Sequence, residues 1–320
     1  MLRRLSLLIL SVMLVLVASA AERDALKLLT IGNSFSNDGT AYLPALAEAG
    51  GKRLIRGNAS LGGCSLERHA RHLGEAEAGD PKGAAYHTTD PRTGQKRPMT
   101  LPELLAAQPW DVVTIQQVST RSFLPETYQP FADQLIAAIR RHAPTAEIVV
   151  HETWAYREDH VIFQKDDGFT PARMYAGARD AYRAFADGKG FRLIPSGDAL
   201  HLARQTPRWT YVPDPAFDFK NPPAGQLPDQ RASLNVGWRW TKDKQGQPTL
   251  SLDASHLNVS GRYLAAAVWY QVLFETDSVP TGYTPEGLSP EDAADLRHHA
   301  RTAVAAERAR KASRVAAVRN

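Results

Sequence analysis

A serine hydroxyl becomes a nucleophile when an imidazole can take its proton, and a carboxylate that orients the imidazole completes the set. Three residues of this chain have the types and spacing for that chemistry. Ser34 ends the apolar run Leu28-Leu29-Thr30-Ile31-Gly32-Asn33-Ser34 in a Gly-polar-Ser turn, and Asp253-Ala254-Ser255-His256 lies far downstream. The i, i+3 spacing lets Asp253 hold one ring nitrogen of His256 while the other faces the serine. The competing readings are local: a turn or cap for Ser34 and a loop hydrogen bond for Asp253 and His256.

Other reactive side chains point less clearly to a site. Cys64 is the single cysteine and sits beside Gly62-Gly63 with no dedicated base, which favours a small packing residue. His69 and His72 share a helix face and His298-His299 are adjacent, yet no carboxylate-histidine set with closed ligand spacing accompanies them. No metal and no cofactor is expected. The Gly-x-Ser-x-Gly elbow of another large esterase fold is absent from the sequence.

The elements that would bring Ser34 to His256 follow from hydrophobic patterning. Buried strands are predicted at Leu26–Ile31, Arg53–Ala59, Asp111–Ile115, Glu147–His151 and Arg192–Ile194, alternating with helices at about 39–49, 65–78, 128–142 and 172–186. Ser34 is expected in a loop between strand and helix. Residues 79–98 read as a polar surface excursion, and Thr206–Leu250, rich in proline and tryptophan, as an insertion with loops and a hairpin. On that hairpin Trp238 and Trp240 share one face. Val259–Phe274 reads as an apolar helix, and Ser289-Pro290 as the start of a C-terminal helix with a basic tail. Strands alternating with helices predict an α/β fold, a parallel sheet covered on both faces, whose strand ends converge their turns on one edge.

Three such turns carry polar groups: Ser34, Gly62-Gly63, and Gln116-Gln117-Val118-Ser119. These blocks resemble the SGNH/GDSL hydrolases, in particular a bacterial branch catalogued as a domain of unknown function. Ile31-Gly32-Asn33-Ser34-Phe35-Ser36 is similar to its nucleophile block, Gly62-Gly63-Cys64-Ser65-Leu66 to its glycine block, Trp110 through Ser119 to its third, and Asp253 through Ala265 to its last. The resemblance implies a flavodoxin-like three-layer α/β/α sandwich, with Ser34 as nucleophile, His256 as general base and Asp253 as its orienting carboxylate. It also implies an oxyanion hole from the amides of Ser34 and of Gly62 or Gly63. The wider family adds an asparagine in the third block, and Asp111–Arg121 contains none, which leaves Gln116 or Gln117 to take its place.

Composition sets the surroundings. The chain has 320 residues, 43% hydrophobic and 22% charged, ordinary for one globular domain with a decorated surface. Arg3, Arg4, an apolar stretch from Leu5 to Val17 and Ala18-Ser19-Ala20 have the layout of a signal peptide over residues 1–20, and that apolar core is shorter than the roughly 20 residues of a membrane span. Export to a bacterial periplasm or exterior is expected, with no stable membrane span after cleavage, and a single cysteine excludes an internal disulfide framework. The net charge of +4 is concentrated at the two ends, so the body is slightly acidic and nucleic-acid binding has no support. Residues 21–288 are read as the hydrolase domain and 289–320 as the terminal helix and tail.

Trp154 and Tyr156 follow a strand and could overlook the same edge, as could Trp238 and Trp240. Aromatic faces stack on sugar rings, which together with the resemblance gives the expectation of an exported serine esterase acting on small acyl, notably acetyl, esters of carbohydrate. The alternative is a glycan-binding or envelope interaction protein on a hydrolase scaffold without turnover.

Overall fold

The computed structural model describes residues 24–165 and 168–319, so the proposed signal peptide lies outside the described residues. The chain runs β1 (Ala25–Gly32), α1 (Ser34–Gly39), α2 (Leu43–Ala49), β2 (Arg53–Ser60) and α3 (Leu66–Glu77). A ribbon, β3 (Tyr86–Thr89) and β4 (Lys96–Met99), precedes α4 (Leu101–Ala106), β5 (Val112–Ile115), α5 (Phe131–His142), β6 (Glu147–His151) and α6 (Pro171–Lys189). Then come β7 (Arg192–Ile194), α7 (Ser196–Arg204), the hairpin β8 (Asn235–Lys242) and β9 (Pro248–Leu257), α8 (Val259–Leu273) and α9 (Pro290–Arg319).

Five strands form one parallel sheet in the order β2-β1-β5-β6-β7. Side chains alternate across a strand, and here both faces are apolar. Leu26, Leu28, Val112, Val149 and Ile194 pack under α2, α7, α8 and α9, whereas Leu29, Ile31, Val113, Ile115 and Val150 pack under α3, α4, α5 and α6. The result is the three-layer α/β/α sandwich of the flavodoxin-like type. After β2 the chain returns past β1 to β5, so the order reverses between β1 and β5, and the crevice at their carboxyl ends is where ligands bind in such sheets.

Local signals fix the elements. Ser65 accepts the Arg68 N–H at the start of α3, Thr100 and Glu103 form a capping box on α4, and Thr170 caps α6. Helix α6 stops at Gly190, whose φ of +72° suits glycine. Helix α8 is apolar on almost every side because it is enclosed by the sheet, α1, α2, α7 and α9. The C-terminal helix is therefore part of the core: Leu296, Ala300, Ala303 and Val304 are buried, and its Asp295 accepts the Trp209 indole N–H at 2.7 Å. No helix among the described residues is long and apolar enough to cross a membrane.

Three expectations need correction. Ser34 is the first residue of a helix, not part of a loop, because Asn33 accepts the Phe35 N–H and starts α1 at once. Residues 39–49 do not form one helix, since Thr40 ends α1 and Leu43 begins α2. The excursion at 79–98 contains the β3–β4 ribbon, held by Asp90 between Arg92 and Arg97. The insertion at Thr206–Leu250 holds β8 and only the start of β9, so the hairpin runs beyond it to Leu257, with Trp238 and Trp240 on one face opposite Leu252 and Leu250.

Gly57 lies where β2 passes Trp110. A Cβ there would meet the Trp110 ring at 2.6 Å and Leu29 Cδ1 at 2.9 Å. Gly57→Ala should cost about 1–3 kcal/mol of stability through overpacking, read as a lower urea midpoint with unchanged slope.

Candidate active site

Register brings the three polar turns together. Gly32 pairs with Ser60 and Ile31 with Ile115, so the residues that leave β1, β2 and β5 emerge side by side. Ser34 sits half-buried at the first position of α1. His256 arrives from the end of β9, with its Nε2 2.8 Å from Ser34 Oγ across 222 residues of sequence. Its Nδ1 lies 3.0 Å from both oxygens of Asp253. This is one hydrogen-bonded line of carboxylate, imidazole and hydroxyl, the order in which a general base removes a serine proton.

Electrostatics favour the same assignment. The Asp253 hydrogen bond raises the pKa of His256 above the ordinary imidazole value. Burial alone would push the Asp253 carboxyl up, but hydrogen bonds from the ring and backbone N–H of His256 outweigh it and hold the group below the usual carboxylate range. At neutral pH Asp253 is thus an anion ready to stabilise an imidazolium. Cys64 is no rival nucleophile, because it is fully buried and burial pushes its thiol up to about 12.

The side expected to receive an oxyanion consists of backbone. Leu61-Gly62-Gly63-Cys64 is a turn closed by Cys64 N–H to Leu61 carbonyl at 3.2 Å, and Gly63, at φ +58°, takes the position that needs a left-handed residue. Asn33 Nδ2 donates to the Cys64 carbonyl at 3.0 Å, which ties this turn to the nucleophile turn. Among the described residues, the N–H groups of Ser34, Gly62 and Gly63 have no protein acceptor.

Gln116 and Gln117 do something other than donate to an oxyanion. Both are buried. Gln116 Nε2 donates to Asn33 Oδ1 at 2.9 Å, and its carbonyl oxygen lies 2.6 Å from His151 Nδ1, whose other nitrogen lies 3.2 Å from Ser196 Oγ. Burial lowers the His151 pKa to about 3, so the ring is neutral and donates to Gln116. The relay holds Asn33, and Asn33 holds both turns. Gln117 gives both amide protons to Thr127 and accepts from Leu66 and Val118, so it serves the start of α3. His69, also buried and neutral, donates through Nε2 to the Gly32 carbonyl and accepts from Tyr86.

Trp154 and Tyr156 are likewise corrected: they are 1% and 4% exposed and offer no face to a sugar. Trp154 stacks under Phe35 at 4.3 Å and donates its indole N–H to the Ser255 carbonyl, while Tyr156 bonds Ser119. They are the floor beneath Phe35 and His256. Trp238 and Trp240 remain partly open on the hairpin that also carries Asp253 and His256.

Asp38 escaped the sequence reading. One turn beyond Ser34 on α1, it is 5% exposed and accepts the Leu257 N–H at 2.9 Å and Arg262 Nε at 2.8 Å. Burial raises its pKa while those two donors oppose the rise. The nucleophile helix thereby grips the backbone next to His256. The signal was present in Asn37-Asp38-Gly39, an acidic residue four positions after the serine, although nothing local names its partner.

Fold and site together define a chain of the SGNH/GDSL hydrolase type, with serine, aspartate and histidine in that chain order on a flavodoxin-like sheet. Residues 27–212 match the domain of unknown function DUF4886, and the chain belongs to that family. It is similar to the crystal structure of a DUF4886 family protein from Bacteroides uniformis ATCC 8492, with 29% identity and a TM-score of 0.66 over 88% of this chain and 95% of that one. A proposed SGNH hydrolase from Slackia heliotrinireducens shows 20% identity and a TM-score of 0.45 over 77% and 98% of the two chains. A possible lipase from Chitinophaga pinensis DSM 2588 shows 16% identity and 0.41 over 78% and 98%. No curated protein sequence matches this one.

Asp38→Asn should lower kcat for 4-nitrophenyl acetate by about tenfold or more, since misplacement near 1 Å can cost about a hundredfold. Because the Asp38 charge also favours the protonated imidazole, its removal should move the acid limb of the rate profile to lower pH. A purely structural role for Asp38 would leave that limb in place.

Proposed function

We propose that this protein is an exported serine esterase that hydrolyses small acyl esters, notably acetyl groups on carbohydrate. The observation that carries the reading is the line Asp253–His256–Ser34, with contacts of 3.0 and 2.8 Å. His256 takes the Ser34 proton as Oγ attacks the ester carbonyl, then returns it to the departing alcohol. The amides of Ser34 and of Gly62 or Gly63 receive the negative oxygen. Water, deprotonated by His256, then cleaves the acyl-enzyme, releasing a carboxylic acid and restoring the serine. None of these steps calls on a cofactor.

Gly62 and Gly63 are exposed, and the asparagine donor that the wider family places in the third block is missing. One such donor is typically worth about a hundred- to a thousandfold in turnover, so acetyl carbohydrate should turn over more slowly than activated esters such as 4-nitrophenyl acetate. That same gap favours a second reading, a glycan-binding scaffold without turnover. Purified protein that binds acetylated oligosaccharide yet leaves 4-nitrophenyl acetate intact at every pH would establish it.

Ser34→Ala should abolish 4-nitrophenyl acetate hydrolysis, and full activity in that variant would remove Ser34 from its role. The reaction needs neutral His256. With its pKa raised by Asp253, the rate should climb through a midpoint above the ordinary value of about 6.5 and level off toward alkaline pH. Asp253→Asn should lower kcat by about 10²–10⁴ and move that midpoint down, measured by initial rates from pH 5 to 9.

A further inference from the structure

Among the described residues, five large hydrophobic side chains are exposed, and four of them lie in two segments: Val161 (53%) in a short 3-10 turn after β6, and Val212 (68%), Phe219 (37%) and Leu227 (47%) in the long connection before β8. Scattered exposed apolar residues need no explanation, whereas a cluster beside a catalytic group does. Val161 and Phe219 line a groove of about 410 Å³ together with His160, Trp238 and Leu252. The Trp238 ring lies 5.0 Å from Phe219, which lies 4.9 Å from Phe217, so the rings form a continuous aromatic surface. Trp238 is opposite Leu252 in the hairpin register, and the next residue after Leu252 is Asp253.

The groove therefore belongs to the same ribbon that supplies the carboxylate and the base. His160 on its rim connects the two regions: its ring lies tilted against Tyr156 at 4.3 Å, and Tyr156 lies 6.2 Å from Phe35, the residue after Ser34. With two ring contacts between Phe35 and the groove, a molecule that occupies both places is longer than an acetyl group.

We infer that this groove is a subsite for the glycan chain of the substrate, so that the enzyme takes acetylated oligosaccharide or polysaccharide in preference to acetylated small molecules. The inference rests on the esterase reading of Ser34. A sugar ring has an apolar C–H face and a rim of hydroxyls, and an open aromatic platform covers the first while leaving the second to water. Asp159, His160 and Gln164 edge the groove and can hydrogen-bond that rim. An acyl chain suits the groove less well. Laid on an open surface it would keep one side in water.

The test compares Phe219→Ser and Trp238→Ala with the wild type on 4-nitrophenyl acetate, 4-nitrophenyl decanoate and chemically acetylated xylan, glucomannan and pectin. Phe219 is exposed, so its replacement keeps the test meaningful where Trp238→Ala fails to fold. Expected is a loss in kcat/KM for acetate release from at least one polysaccharide that exceeds the loss on 4-nitrophenyl acetate by tenfold or more. Equal losses on all substrates overturn the subsite, and a selective loss on the decanoate assigns the groove to an acyl chain instead. Where wild-type protein hydrolyses none of them, the esterase reading fails separately. Tryptophan fluorescence of Ser34→Ala protein, titrated with oligosaccharides from the same three polymers, then decides the groove: quenching that Phe219→Ser weakens supports it, and no quenching ends it.

Discussion

The constraint on which this molecule depends is that a hydroxyl near the start of the sheet and an imidazole from the end of a distant hairpin must hold a 2.8 Å contact. A short hydrogen bond between two side chains cannot by itself fix the two elements that carry them, because each contributes only about 0.5–1.5 kcal/mol net. Asp38 supplies the missing anchor. It binds the backbone of Leu257 and the guanidinium of Arg262 from the same helix that begins with Ser34, so that helix is tied directly to the residue after His256. Trp154 adds a second tie by donating to the Ser255 carbonyl while supporting Phe35 from below.

Beneath the reacting groups lies a buried polar chain running from Ser196 through His151, Gln116 and Asn33 to the Cys64 carbonyl. Every step passes through a neutral group, which keeps the cost of burial low, and a satisfied network of this kind rigidifies its surroundings. Glutamine in the third block thus trades a direct role at the oxyanion for control of the turns that present backbone N–H groups. Gly32 belongs to the same arrangement: a Cβ there would come within 2.7 Å of Ser36 Oγ and 3.1 Å of Gln116 Cδ.

Much of this was legible in the sequence. The five buried strands announce themselves because a parallel sheet covered on both faces requires uninterrupted apolar runs, as in Leu26–Ile31 and Val112–Ile115. The pairing of Ser34 with Asp253 and His256 was legible because residue type, order and the i, i+3 spacing all point to one reaction. What stayed hidden depends on partners remote in sequence. Whether Gln116 reaches an oxyanion or Asn33 is decided by register between β1 and β5, and whether Trp154 is a platform or a floor is decided by Phe35 folding over it. Asp38 looks like any acidic residue in a short helix until Leu257 arrives 219 residues later. The ribbon at 86–99 went unseen because its pairing is held by Asp90 with Arg92 and Arg97, a polar pattern that reads as surface loop.

A fluorophosphonate reacts only with a serine whose hydroxyl is activated, and mass spectrometry of the digested adduct reports which serine that is. A single phosphonylated residue is expected, Ser34, whose labelling rate rises with deprotonation of His256 and collapses in His256→Ala. Labelling at another serine, or undiminished labelling of Ser34 once His256 is gone, would contradict it.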